Sequence, residues 1–274
     1  MNAPTWIPQD YLTVLIVLSL SFVVLERLRP QRPGQGFFRK DLGADVCYLI
    51  FNGHVYSLLT AATSLKVALW AQEGLGKVGA VPAAPLLDGQ SFWLKFAVVL
   101  VAGDFLQWCI HNLLHRVPVL WKFHQVHHSV STMDWAGNFR FHWMEVVVYK
   151  VLLYLPMFLV GGTAAGMAVA VVGTAWGHFN HSNLRLGLGP LAYVLNSPRM
   201  HLWHHDYTDE GAPAKNFGIV FSCWDFLFRT AYWPRERPPE RIGFPGMEHM
   251  VGGFAGMTFW PFLRRPKADS APPS

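Results

Sequence analysis

Long runs of apolar residues are the feature that most constrains how this chain can fold. Residues 6–25, 46–70 and 92–110 are each long and apolar enough to cross the hydrocarbon core of a bilayer as a helix, which takes about 20 residues. Charged residues make up only 14% of the 274 residues, whereas soluble domains carry roughly 25%. We therefore predict an all-α integral membrane protein, a helical bundle that crosses the bilayer several times.

Basic residues predict how these helices are oriented. A group of them follows the first apolar run at once: Arg27, Arg29, Arg32, Arg39 and Lys40. By the positive-inside rule this segment faces the cytoplasm, so residues 71–90 form an external loop and residues 116–145 are cytoplasmic again. No basic residue precedes the first apolar run, so we expect a retained helix and not a cleaved signal peptide.

A fourth apolar run, residues 146–176, is interrupted by Pro156 and by the adjacent Gly161 and Gly162. Each half is only about three-quarters of a full span of ~20 residues. We predict a helical hairpin that enters from the cytoplasmic side and returns to it. Two short spans and a re-entrant pair both fit this pattern.

We expect one membrane domain, residues 1–274, in three parts. N-terminal transmembrane helices occupy residues 6–70, and a histidine-rich region occupies residues 91–232. A cytoplasmic extension covers residues 233–274 and ends in a disordered tail at residues 268–274.

Charge and cysteine content argue against other classes of protein. The net charge is +5, but the basic residues are dispersed and no nucleic-acid module is recognisable, so we expect no nucleic-acid partner. The charge is better explained by membrane topology and an anionic lipid surface. The three cysteines, Cys47, Cys109 and Cys223, form no CxxC pair, which argues against a disulfide framework or a thiolate metal site.

The histidines are concentrated in one part of the chain and follow a pattern. Eleven of the 13 lie between positions 111 and 205. Ten of them form four motifs, and one stands alone. The motifs are HxxxH (His111 and His115), HxxHH (His124, His127 and His128), HxxH (His178 and His181) and a second HxxHH (His201, His204 and His205), and His142 stands alone in RFHWME. On a helix, residues at i, i+3 and i+4 share one face, so each motif presents its imidazoles together.

Clustered neutral imidazoles are ligands for iron, zinc, copper and nickel. The eight imidazoles of HxxxH and the two HxxHH motifs are too many for one ion, and they suit two ions, each with an open position for O₂ or water. A mononuclear zinc hydrolase typically needs three ligands, and its HExxH motif is absent; haem needs only one or two axial histidines. The spacing does not by itself distinguish iron from zinc.

A membrane metal-binding or transport protein without catalytic activity is the alternative from another class. Transporters place their ligands near the bilayer midplane and often show internal repeats. Here the predicted topology puts the histidine motifs on one side of the membrane, and no repeat is evident. An enzyme is therefore the favoured interpretation.

Taken in order, the motifs resemble those of the fatty acid hydroxylase/sterol desaturase superfamily over about residues 104–232. The stretches that carry the resemblance are DFLQWCIHNLLHRVPVLWKFHQVHHSVSTMDW, NFRFHWMEVV, GHFNHSN, NSPRMHLWHHDY and NFGIVFSCWDFLFRTAY. The resemblance implies a non-haem di-iron oxygenase with a cytoplasmic, histidine-rich helical cap. Such an enzyme uses O₂ to hydroxylate or desaturate a C–H bond of a sterol, fatty acyl or related lipid.

The resemblance also implies which residues act. The metal ligands would be His111, His115, His124, His127, His128, His201, His204 and His205, joined by His181 of the HSN element and by His178. His142 would be a ligand or would support one. It lies in the sequence RFHWME, where Trp143 replaces the proline that the family usually has. The chain also differs from the family at Asn112, where the family often has arginine. Asp104, Glu145 and Asp225 would orient imidazole N–H groups.

The sequence also bears on the electron donor and on the choice of substrate. The chain shows no haem or flavin domain, so the electrons would come from an external donor of the ferredoxin or cytochrome type. An ether lipid, an aminolipid or a carotenoid are alternative substrates of the same fold. The choice between hydroxylation and desaturation stays open.

Overall fold

The structure is a computed structural model that describes residues 11–56, 66–67, 69–70, 73–79, 86–207, 215–234 and 237–263. The described residues are mostly helical and contain no strand, only three isolated β-bridges. The all-α prediction is therefore confirmed. The predicted span at residues 46–70 lies partly outside the described residues, and the tail at residues 268–274 lies wholly outside them.

Three described segments have the length and apolar composition that crossing a membrane requires: Tyr11–Leu28, Phe92–Arg116 and Trp143–Gly162. The first is helix α1, whose buried residues include Leu15, Ser19, Phe22 and Glu26. Their spacing of four, three and four residues marks one face of a helix. The opposite face exposes apolar side chains, Leu20 to 61% among them, which suits contact with lipid.

Helix α2, Leu42–Ile50, continues as a π-helical turn, Phe51–Val55. Helix α3, Phe92–Arg116, starts at Ser91, whose hydroxyl accepts a hydrogen bond from the N–H of Leu94. It stops because proline disfavours helical backbone in the residue before it, and Val117 is extended (φ −94°, ψ 113°). Pro118 then opens helix α4, Pro118–His128. The bend between α3 and α4 brings their histidine motifs side by side.

The fourth apolar run is a hairpin, but its outgoing limb, Trp143–Gly162, is longer than predicted and reaches the length of a membrane span. Helix α5, Trp143–Tyr149, leads through a π-helical segment, Lys150–Tyr154, into helix α6, Leu155–His181. Gly162 interrupts α6 with φ 74° and ψ −177°, a conformation open only to glycine. The two ends of the run lie together, because Glu145 contacts His124 while His181 contacts His127.

The two limbs of the hairpin pack against α3. Leu153 and Met157 of the outgoing limb share a hydrophobic core with Ala165 of the returning limb and with Val99 of α3. A side chain at Gly161 would collide with Val99, so the glycine permits the close approach of the helices. The hairpin thereby holds both of its ends at the level of the histidine motifs on α3 and α4.

The remaining helices close the structure around the histidines. Helix α7, Pro198–His204, carries the last motif; helices α8, Cys223–Leu227, and α9, Gly253–Phe259, follow. The described part of the C-terminal extension packs on the core: the hydroxyls of Tyr48 and Thr258 lie 3.0 Å apart. All three cysteines are free; Cys47 is exposed, and Cys109 and Cys223 are partly buried.

Candidate metal centre

Nine buried histidines converge in two groups, each of which could hold a metal ion. The five-histidine group consists of His111, His115, His124, His128 and His204, and the four-histidine group of His127, His181, His201 and His205. Within each group the candidate ligand atoms lie within 4.8 Å of one another.

Each HxxHH motif is divided between the two groups. On α4, His124 and His128 join the five-histidine group while His127 joins the other. The motif around α7 does the reverse: His201 and His205 join the four-histidine group and His204 the other. Residues at i and i+4 lie almost one above the other on a helix, while i+3 is displaced to one side. Two adjacent ions can therefore be ligated from the same two segments.

Hydrogen bonds fix the orientation of five of these rings. In each case Nδ1 lies near an oxygen, at 2.7–3.2 Å: His111 with the Phe217 carbonyl, His124 with the Glu145 carboxylate, and His127, His181 and His204 with the carbonyls of Arg140, Gly177 and Lys215. A carbonyl or carboxylate oxygen only accepts, so Nδ1 carries the proton and Nε2 presents a bare lone pair.

The bare Nε2 atoms face one another. Nε2 of His111 lies 3.2 Å from Nε2 of His124, and the same distance separates Nε2 of His127 from that of His181. With both protons on Nδ1, neither pair can form a hydrogen bond, and two buried lone pairs at this distance repel. A cation between them removes the conflict.

The imidazoles outside the membrane-crossing segments are held in the neutral, ligating form. Burial, with a smaller contribution from neighbouring histidines, lowers the pKa of His127, His128 and His201 well below its usual value. Nε2 of His204 is also buried without a hydrogen-bond partner among the described residues. The donor set therefore fits a metal that accepts nitrogen ligands, which includes iron and zinc.

Two of the predicted ligands lie outside both groups. His178 contacts the Ser19 hydroxyl through Nε2 at 3.2 Å and the Asn138 amide through Nδ1 at 2.8 Å. His142 donates from Nε2 to the Thr258 carbonyl at 2.9 Å and accepts at Nδ1 from the N–H of Met144. Both ring nitrogens of each residue are therefore engaged away from the other nine histidines.

The three predicted carboxylates differ in what they hold. Glu145 accepts from Nδ1 of His124 at 2.7 Å. Asp104 instead accepts from the N–H groups of Val220 and Phe221 at 2.8 and 3.0 Å, and a third bond comes from a tryptophan ring. Buried backbone N–H groups outside regular helices need such acceptors. Asp104 therefore orients a loop and, among the described residues, contacts no imidazole.

Asp225 likewise contacts no imidazole among the described residues. It accepts from the indole N–H of Trp108 and from the backbone N–H groups of Phe217 and Gly218, at 2.8–2.9 Å. Because the Phe217 carbonyl accepts from His111, Asp225 acts on that ring only through the backbone.

A buried ionic network beside the histidines was missed by sequence reasoning. Arg140 is fully buried and forms a two-pronged ion pair with Asp45, which Arg39 also contacts at 2.6 Å. Arg39 in turn pairs with Asp134 at 2.5 Å, so two cations balance two anions. The carbonyl of Arg140 accepts from His127, which connects the network to the four-histidine group. The signal was Asp45, a charge at the edge of an apolar run, where it is costly unless paired.

A loop whose backbone carbonyls accept hydrogen bonds from two of the histidines was also not predicted from the sequence. The carbonyls of Lys215 and Phe217 receive His204 and His111. Asn216, between them, adopts a positive φ of 55° and bonds through its side chain to the carbonyls of Met200 and Tyr232. Asparagine tolerates this conformation better than most residues. Backbone acceptors leave no trace in the pattern of side chains.

The chain matches a known protein family and several known enzymes. The family model described as fatty acid hydroxylase matches residues 96–230. The ornithine lipid hydroxylase OlsE of Rhizobium tropici is 28% identical over 96% of this chain and 78% of its own length. The alkylglycerol monooxygenase of Homo sapiens is 25% identical over 61% of this chain but only 36% of its own length. The very-long-chain aldehyde decarbonylase GL1-6 of Oryza sativa subsp. japonica is 27% identical over 48% of this chain and 22% of its own length. No solved structure matches the chain significantly.

Proposed function

Because the chain belongs to the fatty acid hydroxylase family, we propose that it is a membrane-bound, iron-dependent oxygenase that hydroxylates a lipid. The observation that carries the proposal is the pair of buried histidine groups inside the matched residues. In the reaction, one oxygen atom of O₂ enters a C–H bond and the other leaves as water, with two electrons and two protons supplied from outside. Hydroxylation is preferred to desaturation because the relatives that match 96% and 61% of this chain are named hydroxylase and monooxygenase.

The nine histidines would hold two iron ions, one in each group. When bound, iron would supply the activation of O₂. The chain's own residues present neutral Nε2 lone pairs, fix five of the nine rings through Nδ1 and exclude bulk water by burial. Glu145, at 2.7 Å from His124, would increase the basicity of that ligand.

The proposed substrate is an aminolipid of the ornithine lipid type. This choice of substrate is supported by how much of the two chains can be matched. The match to the ornithine lipid hydroxylase covers 96% of this chain and 78% of that protein. The chain spans only about a third of the length of the alkylglycerol monooxygenase of Homo sapiens, 36%. An ether lipid is therefore the second candidate.

We further propose that the centre faces the cytoplasm and receives electrons from a separate ferredoxin or cytochrome. Exposed arginines support both ideas. Arg27 lies in the last turn of α1 and Arg29 directly follows the helix. The Arg29 carbonyl accepts from the N–H of Arg185, four residues beyond the proposed ligand His181. Basic residues beside a membrane helix favour the cytoplasmic side, and a basic surface attracts an acidic electron-transfer protein.

The test is oxidation of defined lipids by the purified, iron-loaded protein in lipid nanodiscs. Ornithine lipid and alkylglycerol are supplied separately with reduced ferredoxin, its reductase and isotopically labelled O₂. We expect a hydroxylated ornithine lipid that carries the label, and no such product from the His127→Asn variant. Oxidation of alkylglycerol alone would transfer the proposal to ether lipids. If the iron-loaded protein oxidises neither lipid with ferredoxin or with a reduced cytochrome, the proposed function is wrong.

A further inference from the structure

An apolar groove runs along the outer side of α3. It has a volume of about 710 Å³ and is lined by residues of α3 between Ala97 and Phe105, and by Trp224, Leu227 and Phe228. These α3 residues belong to a segment with the length and apolar composition of a membrane span, and in a bilayer the groove would open towards lipid. Its lining residues are all apolar or aromatic, and Leu227 is 67% exposed.

One end of the groove lies next to the candidate metal centre. Phe105, Trp108 and Phe228 form a stack in which the rings of Trp108 and Phe228 are 4.8 Å apart. Behind Trp108 stands Phe217, whose ring lies 5.5 Å from His111 and 5.2 Å from His115. A thin layer of aromatic rings therefore separates the groove from the five-histidine group.

A single carboxylate holds both sides of this layer. Asp225 accepts from the indole N–H of Trp108 at 2.9 Å and from the backbone N–H of Phe217 at the same distance. Asp104 holds the groove wall through the indole N–H of Trp224 at 3.0 Å. The two carboxylates that contact no imidazole thus order the surface between the groove and the centre.

The direction of α3 relates the groove to a lipid molecule. The histidines stand at the end of α3, and the groove extends from them towards the middle of the helix. Val101 is ten residues before His111, which is about 15 Å along a helix. A lipid whose chain occupied the groove would have its headgroup-proximal part at the level of the histidines.

We propose that this groove binds an acyl chain of the lipid substrate and places the headgroup-proximal part of that lipid beside the five-histidine group. The inference rests on the proposed function, because it assigns a binding surface to the same substrate. The group bound in the groove is a hydrocarbon chain. Bulk phospholipid that merely surrounds the helices is the competing explanation.

Photo-crosslinking tests the occupant without requiring turnover. Iron-free protein in phosphatidylcholine nanodiscs is irradiated with ornithine lipid that carries a diazirine in its acyl chain, and the labelled residues are mapped by mass spectrometry. We expect label between Ala97 and Phe105 and between Trp224 and Phe228, which unlabelled ornithine lipid displaces and added phosphatidylcholine does not. Equal labelling of the exposed face of α1, with no displacement, would show surrounding lipid only and overturn the proposal.

A variant that fills the groove tests its role in catalysis. Ala102→Leu adds three carbon atoms, which take the space of about three methylene groups of the chain, so we expect KM for ornithine lipid to rise by roughly 10–100-fold at unchanged metal content. Leu94→Phe is the matched control, on the same helix and 45% exposed but outside the groove, and should leave KM unchanged.

The two proposals fail in different ways. If ornithine lipid displaces the groove label but no lipid is oxidised, the groove assignment stands and the proposed hydroxylation falls. If ornithine lipid is hydroxylated while Ala102→Leu keeps the wild-type KM and the label is spread evenly, the groove assignment falls. A hydroxyl group found at the far end of the acyl chain would also contradict the placement of the lipid.

Discussion

At the scale of single residues, the centre depends on which ring nitrogen of each histidine carries its proton. Glu145 is the only carboxylate among the described residues that controls this directly, through the 2.7 Å contact with Nδ1 of His124. Glu145→Gln removes the negative charge while keeping the shape. We expect the affinity for iron to fall by about 10–100-fold, as it does when residues that orient metal-bound histidines are replaced.

Metal titration of the purified variant, followed by elemental analysis, measures this change. Glu73→Gln is the control, because the Glu73 side chain is 65% exposed and, within the described part of the chain, pairs only with the surface residue Lys77. Its affinity should equal that of the wild type. If Glu145→Gln binds iron as tightly as the control, the carboxylate has no part in preparing His124.

A second prediction at this scale distinguishes ligands from neighbouring histidines. His127 lies in the four-histidine group, whereas both ring nitrogens of His178 and of His142 are engaged elsewhere. We expect His127→Asn to lose the ion of its group, while His178→Asn and His142→Asn keep the full metal content. The measurement is metal per chain after gel filtration. Loss of an ion from His178→Asn to the same extent as from His127→Asn would make His178 a ligand.

At the scale of elements, the ionic network fixes the loop that follows α4 against the start of α2. Asp45 neutralises the fully buried Arg140 and also contacts Arg39. Asp45→Asn leaves these cations short of one negative charge inside the protein, and removing one partner of a buried pair costs about 3–5 kcal/mol. We expect a loss of that size in the free energy of unfolding, together with weaker metal binding, because the Arg140 carbonyl orients His127.

Denaturant unfolding in detergent micelles measures the loss. Glu73→Gln again serves as control: the exposed pair with Lys77 is an i, i+4 contact, which contributes only about 0.3–0.5 kcal/mol. Unfolding of Asp45→Asn at the wild-type denaturant concentration would mean that the network adds nothing to stability.

The elements also show what a sequence can and cannot predict. The helices that carry HxxxH and HxxHH follow from local spacing, and Gly162 marks the reversal of the hairpin because its positive φ is a local property. The division of each HxxHH motif between two groups depends on where α3, α6 and α7 meet, which local spacing does not contain. His178 and His181 illustrate the limit: they are one helical turn apart, yet only His181 lies in a group.

The roles of carboxylates were harder to predict than the positions of histidines. Glu145 reaches a ring because it stands in the first turn of α5, directly behind α4. Asp104 and Asp225 reach the loop at residues 217–221, whose N–H groups have no helix to satisfy them. The acceptors for His111 and His204 are carbonyls of that same region, and a carbonyl is common to every residue.

At the scale of the whole molecule, the metal centre is also the point where separate elements are joined. The two groups draw their ligands from α3, α4, the end of α6, and α7 with the residue that follows it. Without a cation, the Nε2 lone pairs of His127 and His181 face each other at 3.2 Å inside the protein. Bound metal should therefore stabilise the fold as well as serve the reaction.

The size of this stabilisation follows from the thermodynamic linkage between metal binding and folding. An ion present at 100 times its dissociation constant adds about 2.7 kcal/mol to the free energy of unfolding. For chains of about 150–250 residues, 1 kcal/mol shifts Tm by roughly 2–4 °C. We expect a chelator to lower the Tm of the iron-loaded protein in detergent by about 5–10 °C for each group emptied, and added Fe²⁺ to restore it. In the double variant His127→Asn/His201→Asn the four-histidine group is disabled. The chelator should therefore lower the Tm of this variant only by the amount that comes from emptying the five-histidine group. A wild-type Tm that stays constant while elemental analysis shows the iron removed would mean that the histidine groups are held together by their surroundings alone.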